Sequence, residues 1–332
     1  MPKLTASPTN VWNLSLGGIL EYPIEIASTL LKFGRSDFPP LEFIFRIFNS
    51  AEQFAVENQL AAYHSMENKQ KFDYNPRASV CTAGLTVSYD DYEGEELMWR
   101  VHYSIDDFLH RFIAPFLGFC QRRRVIVGDV LALPSKTNAV WLGGTTFAGE
   151  FIDSVGYGQV AIEPVNLQVA LLWATEAYVS GTTEQREHLV MLLRRYNDVL
   201  NLPYTYERFD GYWRIVECLG RGAALSLQQE TEYKRICVIA GALNGSRNLR
   251  SFLGALLLNN IQYSDDAITS AFMYRNESTH SYLQKSVIDD PTLPNNFHFV
   301  AECADRLIFK AFGIDQALLK PSRHSIIVNR IV

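Results

Sequence analysis

The sequence predicts an α+β protein in which an N-terminal mixed α/β domain, residues 1–160, precedes a C-terminal all-α helical bundle, residues 161–332. Three observations support this fold class. Between about residues 79 and 151, segments rich in β-branched and aromatic residues alternate with turn residues, which is typical of strands. After residue 160, apolar residues recur every three or four positions, which indicates amphipathic helices. A chain of 332 residues is also long enough for two domains.

The first elements of the N-terminal domain are predicted to be helices, between about residues 24 and 67. Leu41, Phe45 and Phe48 recur at helical spacing, which would place them on one face. The preceding pair Pro39–Pro40 is typical of a helix start, because proline is tolerated in the first turn of a helix. We therefore expect this part of the domain to be helical.

Strand-like segments follow, interrupted by one further helix. Four segments carry β-branched and aromatic residues between Gly, Pro, Asn or Asp: Val80–Tyr89, Glu96–Tyr103, Val125–Leu133 and Ala139–Phe147. Between the second and third lies a predicted helix, Ile105–Arg122. Phe108, Phe112 and Phe116 share one of its faces. Pro115 should kink this helix, because proline lacks the backbone N–H that a helix interior needs.

Residues 161–332 contain almost no strand signal and are predicted to be helical. The first two helices have the apolar stripes Leu167, Leu171, Ala174 and Tyr178, and Leu189, Leu192, Tyr196 and Val199. Further helical segments are Ile215–Leu227, Tyr233–Leu243, Leu249–Leu258 and Asp265–Tyr274. The last long helix would bury Val300, Ala304, Leu307 and Ala311. We place the domain boundary near residue 160, beside the glycine-rich stretch Val155–Gly158.

Composition limits the classes of function. Hydrophobic residues make up 48% of the chain and charged residues 20%, which is typical of a globular protein. The net charge of −6 argues against coating of nucleic acid by bulk positive charge, but not against a local basic cleft. The 5 cysteines are widely spaced and suggest neither a zinc site nor a redox pair. No signal peptide or membrane-spanning stretch is evident, which predicts a cytoplasmic protein without membrane contact.

No cofactor or metal is expected from the motifs. The sequence lacks the phosphate-binding loop GxxxxGK[ST], the nucleophile elbow GxSxG and the zinc-binding helix HExxH. Gly156, Gly158 and Ala161 form a GxGxxA string, which in a dinucleotide-binding protein would open a helix. Pro164 stands where that helix would run, so we interpret the string as a linker.

One string carries candidate chemistry: Arg275-Asn276-Glu277-Ser278-Thr279-His280, within the text ITSAFMYRNESTHSYL. It follows one predicted helix and precedes another. This order of arginine, polar residue, short gap and histidine resembles the motif of the HEPN superfamily of ribonucleases. The segment LLWATEAYV, with Glu176 interrupting an apolar face, resembles the first helix of such domains. The likeness covers about residues 165–318 and is greatest to the ApeA-like branch, in which a β-containing domain precedes the HEPN bundle.

The resemblance implies a metal-independent endoribonuclease with Arg275, Asn276 and His280 as its catalytic residues. Histidine titrates near neutral pH, so it suits proton transfer at the ribose 2′-hydroxyl and the leaving 5′-oxygen. Arginine offers a permanently charged fork to phosphate oxygens. Asn276 is suited to hold the backbone or the histidine ring by hydrogen bonds. RNA is then the substrate, no cofactor is needed, and antiviral defence or a toxin system is the implied biology.

Geometry bears on how such a site would be assembled. On an ideal helix, Arg275 and His280 lie about 140° apart, so they do not converge within one regular helix. Members of the superfamily combine two motifs by dimerising, which implies a homodimer here. The N-terminal domain would then act as a sensor or regulator, with a protein or a nucleotide as its trigger.

Three other interpretations stay open. In a purely structural one, Arg275 forms a salt bridge, for example to Glu277 or Asp266, and His280 is packed. A second is a non-catalytic HEPN-like protein that binds a partner or a nucleotide. A third is a structural subunit of a larger assembly, whose interface would be the aromatic residues of the N-terminal half: Phe38, Phe43, Phe45, Phe48 and Phe54.

Overall fold

The structure is a computed structural model that describes the backbone of residues 9–15, 24–31, 41–48, 80–88, 109–122, 127–133, 140–141, 161–280 and 285–320. Side chains are described for residues 110–120, 122, 161–163, 165–279 and 287–320. The chain divides into two compact units. The first comprises Met1–Asp153 and Ile162–Val190, and the second comprises Ser154–Ala161 and Met191–Val332. The predicted domain boundary near residue 160 stays a prediction.

The first unit contains strands among its described backbone segments. These are β1 (Thr9–Ser15), β2 (Ile24–Leu31), β3 (Leu41–Phe48), β4 (Val80–Ser88), β5 (Val127–Leu133) and β6 (Val140–Trp141). They form one sheet in the order β2-β3-β4-β1-β5-β6, and each neighbouring pair is antiparallel. The first strand is therefore central: Thr9 lies opposite Thr86 on one side and Leu133 on the other.

The helices predicted between residues 24 and 67 are wrong where the structure describes this segment. Ile24–Leu31 and Leu41–Phe48 are antiparallel strands, with Phe45 opposite Ile26. Leu41 and Phe45 are four residues apart, and this spacing keeps two side chains on one face of a strand as well as of a helix. The aromatic and β-branched content of LEFIFRIF favours the strand.

The predicted fold class, α+β with an N-terminal mixed α/β domain, is also wrong. An N-terminal mixed α/β domain is not seen among the residues whose side chains the structure describes. Wherever side chains are described, the regular elements are helices. The predicted strand Glu96–Tyr103 and the linker residues Gly156 and Gly158 lie outside the described residues.

The helices are numbered here in chain order. They are α1 (Ala114–Gln121), α2 (Pro164–Ser180), α3 (Thr183–Leu200), α4 (Thr205–Leu219), α5 (Leu227–Ile239), α6 (Arg247–Leu258), α7 (Asp265–His280), α8 (Lys285–Ile288) and α9 (Leu293–Ala311), followed by the 3₁₀ turn Gln316–Leu318. In the part of the chain that the structure describes, no helix is long and apolar enough to cross a membrane.

The helix that carries Pro115 begins irregularly. A π-helical turn, Leu109–Ile113, precedes α1, and regular α-helix starts only at Ala114. Pro115 occupies the second position of α1, directly after the π-helical turn. The irregular turn therefore lies beside the proline, and the kink expected from the sequence stays a prediction.

Caps and close packing fix the helices of the second unit. Ser226 and Gln229 form a reciprocal capping box at the start of α5, and the Ser246 hydroxyl accepts the backbone N–H of Leu249 at the start of α6. Gly220 ends α4 against the main chain of α6, where a Cβ would overlap the carbonyl oxygen of Ser251. Only glycine allows the two helices to come this close.

Aromatic side chains form the core of the second unit around Trp213 on α4. The Trp213 ring stacks on Phe252 of α6 with centroids 4.1 Å apart, and Phe209 meets Tyr274 of α7 edge-on at 4.8 Å. On α9, the buried carboxylate of Asp305 accepts a hydrogen bond from the Tyr196 hydroxyl at 2.7 Å. These contacts hold α4 against α6 and α7 and join α3 to α9, and so help determine where the residues of α7 lie.

Candidate functional site

The six-residue string lies at the C-terminal end of α7. This helix begins at Asp265, and the Ser264 hydroxyl accepts the N–H of Ala267 in its first turn. It is α-helical through His280, its last residue. On a regular helix Arg275 and His280 are then about 140° apart and separated by about 7.5 Å along the axis. The His280 side chain and residues 281–284 lie outside the described residues, so its predicted role stays a prediction.

Arg275 is tied to two other helices through Asn248. In the amide orientation that its neighbours require, the Asn248 side-chain oxygen accepts hydrogen bonds from Nη1 and Nη2 of Arg275, at 3.2 Å each. The Asn248 side-chain nitrogen in turn donates to Glu217 Oε1, also at 3.2 Å. Glu217 is on α4, Asn248 on α6 and Arg275 on α7. We call these three side chains the three-helix relay.

The orientation of the Asn248 amide follows from the chemistry of its neighbours. A guanidinium has only donors, and an ionised carboxylate has only acceptors. The amide oxygen must therefore face Arg275, and the amide nitrogen must face Glu217. In the reverse orientation, the amide nitrogen would face the donors of Arg275 and the amide oxygen would face the carboxylate oxygen of Glu217. This assignment makes Asn248 a neutral bridge between a cation and an anion.

The charge of Arg275 is not paired directly with a carboxylate in the described part of the chain. Asp266 and Glu277, the partners considered from the sequence, form no salt bridge with it there. The Nε atom is buried and has no hydrogen-bond partner among the described residues. Arg275 is half-buried, and in the described part of the chain its guanidinium is held by an amide rather than by a carboxylate.

The rest of the string is bonded mainly to its own helix. The hydroxyls of Ser278 and Thr279 donate to the carbonyl oxygen of Arg275, at 3.0 and 2.8 Å. The Asn276 side chain is half-buried and makes no hydrogen bond with the described residues. The backbone hydrogen bond expected for Asn276 is therefore not among the interactions of this part of the chain, and its contact with the histidine ring stays a prediction.

Tyr274, next to Arg275, is a structural tyrosine. Its hydroxyl donates to the carbonyl oxygen of Val287 at 3.0 Å. Burial raises the pKa of Tyr274 above its usual range, and the negative charges of Asp290 and Glu277 add to this rise. The phenol therefore stays protonated near neutral pH and is unsuited to act there as a base.

The start of α7 is held by an ion-pair cluster that the sequence did not reveal. Arg235 on α5 makes paired hydrogen bonds to Asp265, at 2.5 and 2.6 Å, and to Glu232, at 2.8 and 2.7 Å. Tyr263 also donates to Glu232 at 2.9 Å. The bonds from Arg235 lower the pKa of Asp265 below its ordinary value. The cluster anchors α7 at the end opposite to the string.

Glu176 and the residues around it, which carried part of the resemblance, lie on α2 in the first unit. The Glu176 side chain is exposed. The same helix buries Leu167, Ala170, Leu171 and Ala174 and exposes Val165, Val169, Leu172 and Trp173. This helix is therefore apolar on a buried face and on an exposed one.

Two relay residues were missed from the sequence. Asn248 and Glu217 stand 27 and 58 positions before Arg275, on helices without any motif around these residues. Only the packing of α4, α6 and α7 brings them together. Among the described residues, no group of three or more His, Cys, Asp or Glu side chains is arranged to hold a metal ion.

No family model matches this chain, and no match was found among curated proteins or solved structures.

Proposed function

We propose that this protein is a metal-independent endoribonuclease of the HEPN type, acting in the cytoplasm as a homodimer. In this proposal Arg275 binds a phosphate of RNA, His280 moves a proton in the cleavage step, and Asn276 assists. The observation that supports it best is the state of Arg275. Its guanidinium is held by Asn248 and has no carboxylate in direct contact among the described residues.

The chemistry follows from these residue types. The ribose 2′-oxygen attacks the neighbouring phosphorus while a base removes its proton, and the 5′-oxygen leaves with a proton from an acid. The products are a 2′,3′-cyclic phosphate and a 5′-hydroxyl. Negative charge grows on the phosphate oxygens in the transition state, and a fixed arginine stabilises it without having to reorganise. No external cofactor takes part in this reaction.

Two copies of the string are required by this mechanism. One His280 cannot be both base and acid in a single step, and on a regular helix its position is about 140° around the axis from that of Arg275 of its own chain. A two-fold axis near the C-terminal end of α7 would supply a second histidine and a second arginine to the same phosphate. A protein or nucleotide trigger acting on residues 1–160, and a role in antiviral defence or a toxin system, belong to the proposal through the resemblance.

A non-catalytic binding protein is the second candidate, and one observation favours it. Both Nη atoms of Arg275 already donate to Asn248 and Nε is buried, so only the outer N–H groups are left for a ligand. The same contacts tie three helices together, which is a structural role in its own right. A binding protein would retain RNA without cutting it.

The test is incubation of the purified protein with total RNA and with tRNA in the presence of EDTA. Wild type should cleave, and the Arg275→Ala/His280→Ala double variant should not. Arg214→Ala is a matched control, because Arg214 is an exposed arginine of the same unit paired with Asp210 at 2.7 Å. Equal rates of RNA cleavage with wild type and with the double variant would contradict the proposed function. Binding without cleavage would favour the second candidate.

A further inference from the structure

The three-helix relay has a feature that packing alone does not require. A carboxylate, Glu217, and a guanidinium, Arg275, are joined by an amide rather than by a direct ion pair. We propose that Asn248 is a positioning residue that orients Arg275 while keeping its charge unneutralised for an RNA phosphate. This inference rests on the proposed function and names the residues that prepare Arg275 for it.

The amide has a specific electrostatic effect. A direct Arg–carboxylate fork is the strongest pairing that a guanidinium makes, and it would compete with a phosphate for the same donors. With Asn248 between them, the hydrogen bonds of Glu217 and Arg275 to described residues run to a neutral amide: Glu217 accepts from its nitrogen, and Arg275 donates to its oxygen. Glu217 orients the amide, and the amide orients the guanidinium. The result is a fixed cation whose nearest described partner carries no charge.

Helix capping does not explain Asn248. The N-cap of α6 is Ser246, whose hydroxyl accepts the N–H of Leu249 at 3.3 Å. Asn248 is already inside the helix, where asparagine is less favourable than most residues. Its side chain bonds to other helices instead of to its own first turn. The residue type is therefore accounted for by the two partners that it joins.

Moving the negative charge of the three-helix relay from position 217 to position 248 separates the orientation of Arg275 from the neutralisation of its charge. Asn248→Asp places a carboxylate against Arg275, but also against Glu217, so it should both neutralise the arginine and destabilise the fold. Asn248→Asp/Glu217→Gln restores every donor–acceptor pair, since the new amide donates to the new carboxylate. The double variant should regain the wild-type melting temperature. Its Arg275 is nevertheless paired directly with a negative charge.

The readout is the affinity for a short oligoribonucleotide in which every 2′-oxygen is methylated, because this probe cannot be cleaved. We measure fluorescence anisotropy as a function of salt concentration. Both variants should bind at least about tenfold more weakly than wild type, as expected for the loss of one charge-assisted contact. The slope of log Kd against log salt should fall by about 0.7, the contribution of one phosphate contact to a single strand. Asn244→Asp adds the same charge on the exposed loop before α6 and serves as the control.

The outcomes distinguish this inference from the proposed function. If the double variant regains both the wild-type melting temperature and the wild-type affinity, Asn248 is only a structural bridge and the inference is overturned. If wild type cleaves RNA and both variants match its Kd and its salt slope, the function stands and the inference fails. If wild type binds the probe but cleaves no RNA, and the double variant binds weakly, the positioning role holds without catalysis. If wild type neither binds the probe nor cleaves RNA, both the proposed function and the positioning role of Asn248 are contradicted.

Discussion

Gly220→Ala tests the helix crossing that brings Glu217 to Asn248. Gly220 has φ −99° and ψ 2°, a conformation that alanine can adopt, so the change adds little backbone strain. A Cβ at this position would overlap the carbonyl oxygen of Ser251 and lie 2.6 Å from the backbone nitrogen of Ala255. Both obstacles are main-chain atoms of α6, which cannot rotate away as a side chain can.

The expected cost follows from these contacts. Real Cβ atoms essentially never approach another heavy atom closer than 3.0 Å, so α4 and α6 must separate. Extra atoms in a packed core cost about 1–3 kcal/mol when side chains can adjust, and here they cannot. We therefore expect Gly220→Ala to lower the free energy of unfolding by about 3 kcal/mol. Urea denaturation followed by far-UV circular dichroism measures this change.

Gly254→Ala is the matched control in the same interface. Its Cβ would come closest to the Cβ of Ala223, at 3.2 Å, and would lie at ordinary contact distance, 3.5 Å, from the carbonyl oxygen of Gly220. Replacing a glycine inside a helix by alanine favours the helix by about 1 kcal/mol, which offsets this tight contact. The control should remain within about 1 kcal/mol of wild type. A Gly220→Ala protein that unfolds at the wild-type urea concentration would refute the reasoning about the crossing.

Two further predictions concern the polar contacts of the second unit. Tyr196→Phe removes the hydroxyl that donates to buried Asp305 at 2.7 Å, so the free energy of unfolding in urea should fall by about 1–3 kcal/mol. An unchanged midpoint would contradict this. Hydrogen bonds from Arg235 lower the pKa of Asp265 in the folded protein. This carboxylate therefore stabilises the fold fully at pH values above its pKa in the unfolded state, which is about 4. The stabilisation is lost as the pH falls through the lower pKa of the folded state. The difference in melting temperature between wild type and Asp265→Asn should therefore shrink below about pH 4, and a constant difference would count against the ion pair.

Helix periodicity was the most informative signal in the sequence, and its failures have a physical cause. After residue 160 most residues of the predicted apolar stripes are buried, for example Leu189, Leu192 and Tyr196 on α3, whereas Ala311 of the last stripe is exposed. In β3, Leu41 and Phe45 satisfy a four-residue spacing that a strand also produces. There the aromatic content should have outweighed the spacing, because it fits a pleated sheet.

The candidate site could be predicted only in part. The string is recognisable in the sequence because Arg275, Asn276 and His280 lie close together along the chain. Asn248 and Glu217 are far apart in sequence, and nothing around them distinguishes them from other polar helix residues. Their meeting depends on the close approach at Gly220, which is a property of packed helices rather than of any local pattern. Contacts of this kind become visible only in a structure.

The chemistry of the RNA ends tests the central claim most directly. Purified wild-type protein is incubated with tRNA in EDTA, and the 3′ ends of the fragments are identified by mass spectrometry. Wild type should produce fragments ending in a 2′,3′-cyclic phosphate, and these should be absent with a His280→Ala variant that melts at the wild-type temperature. Activity that disappears in EDTA and returns with Mg²⁺, or fragments ending in a 3′-hydroxyl, would contradict it.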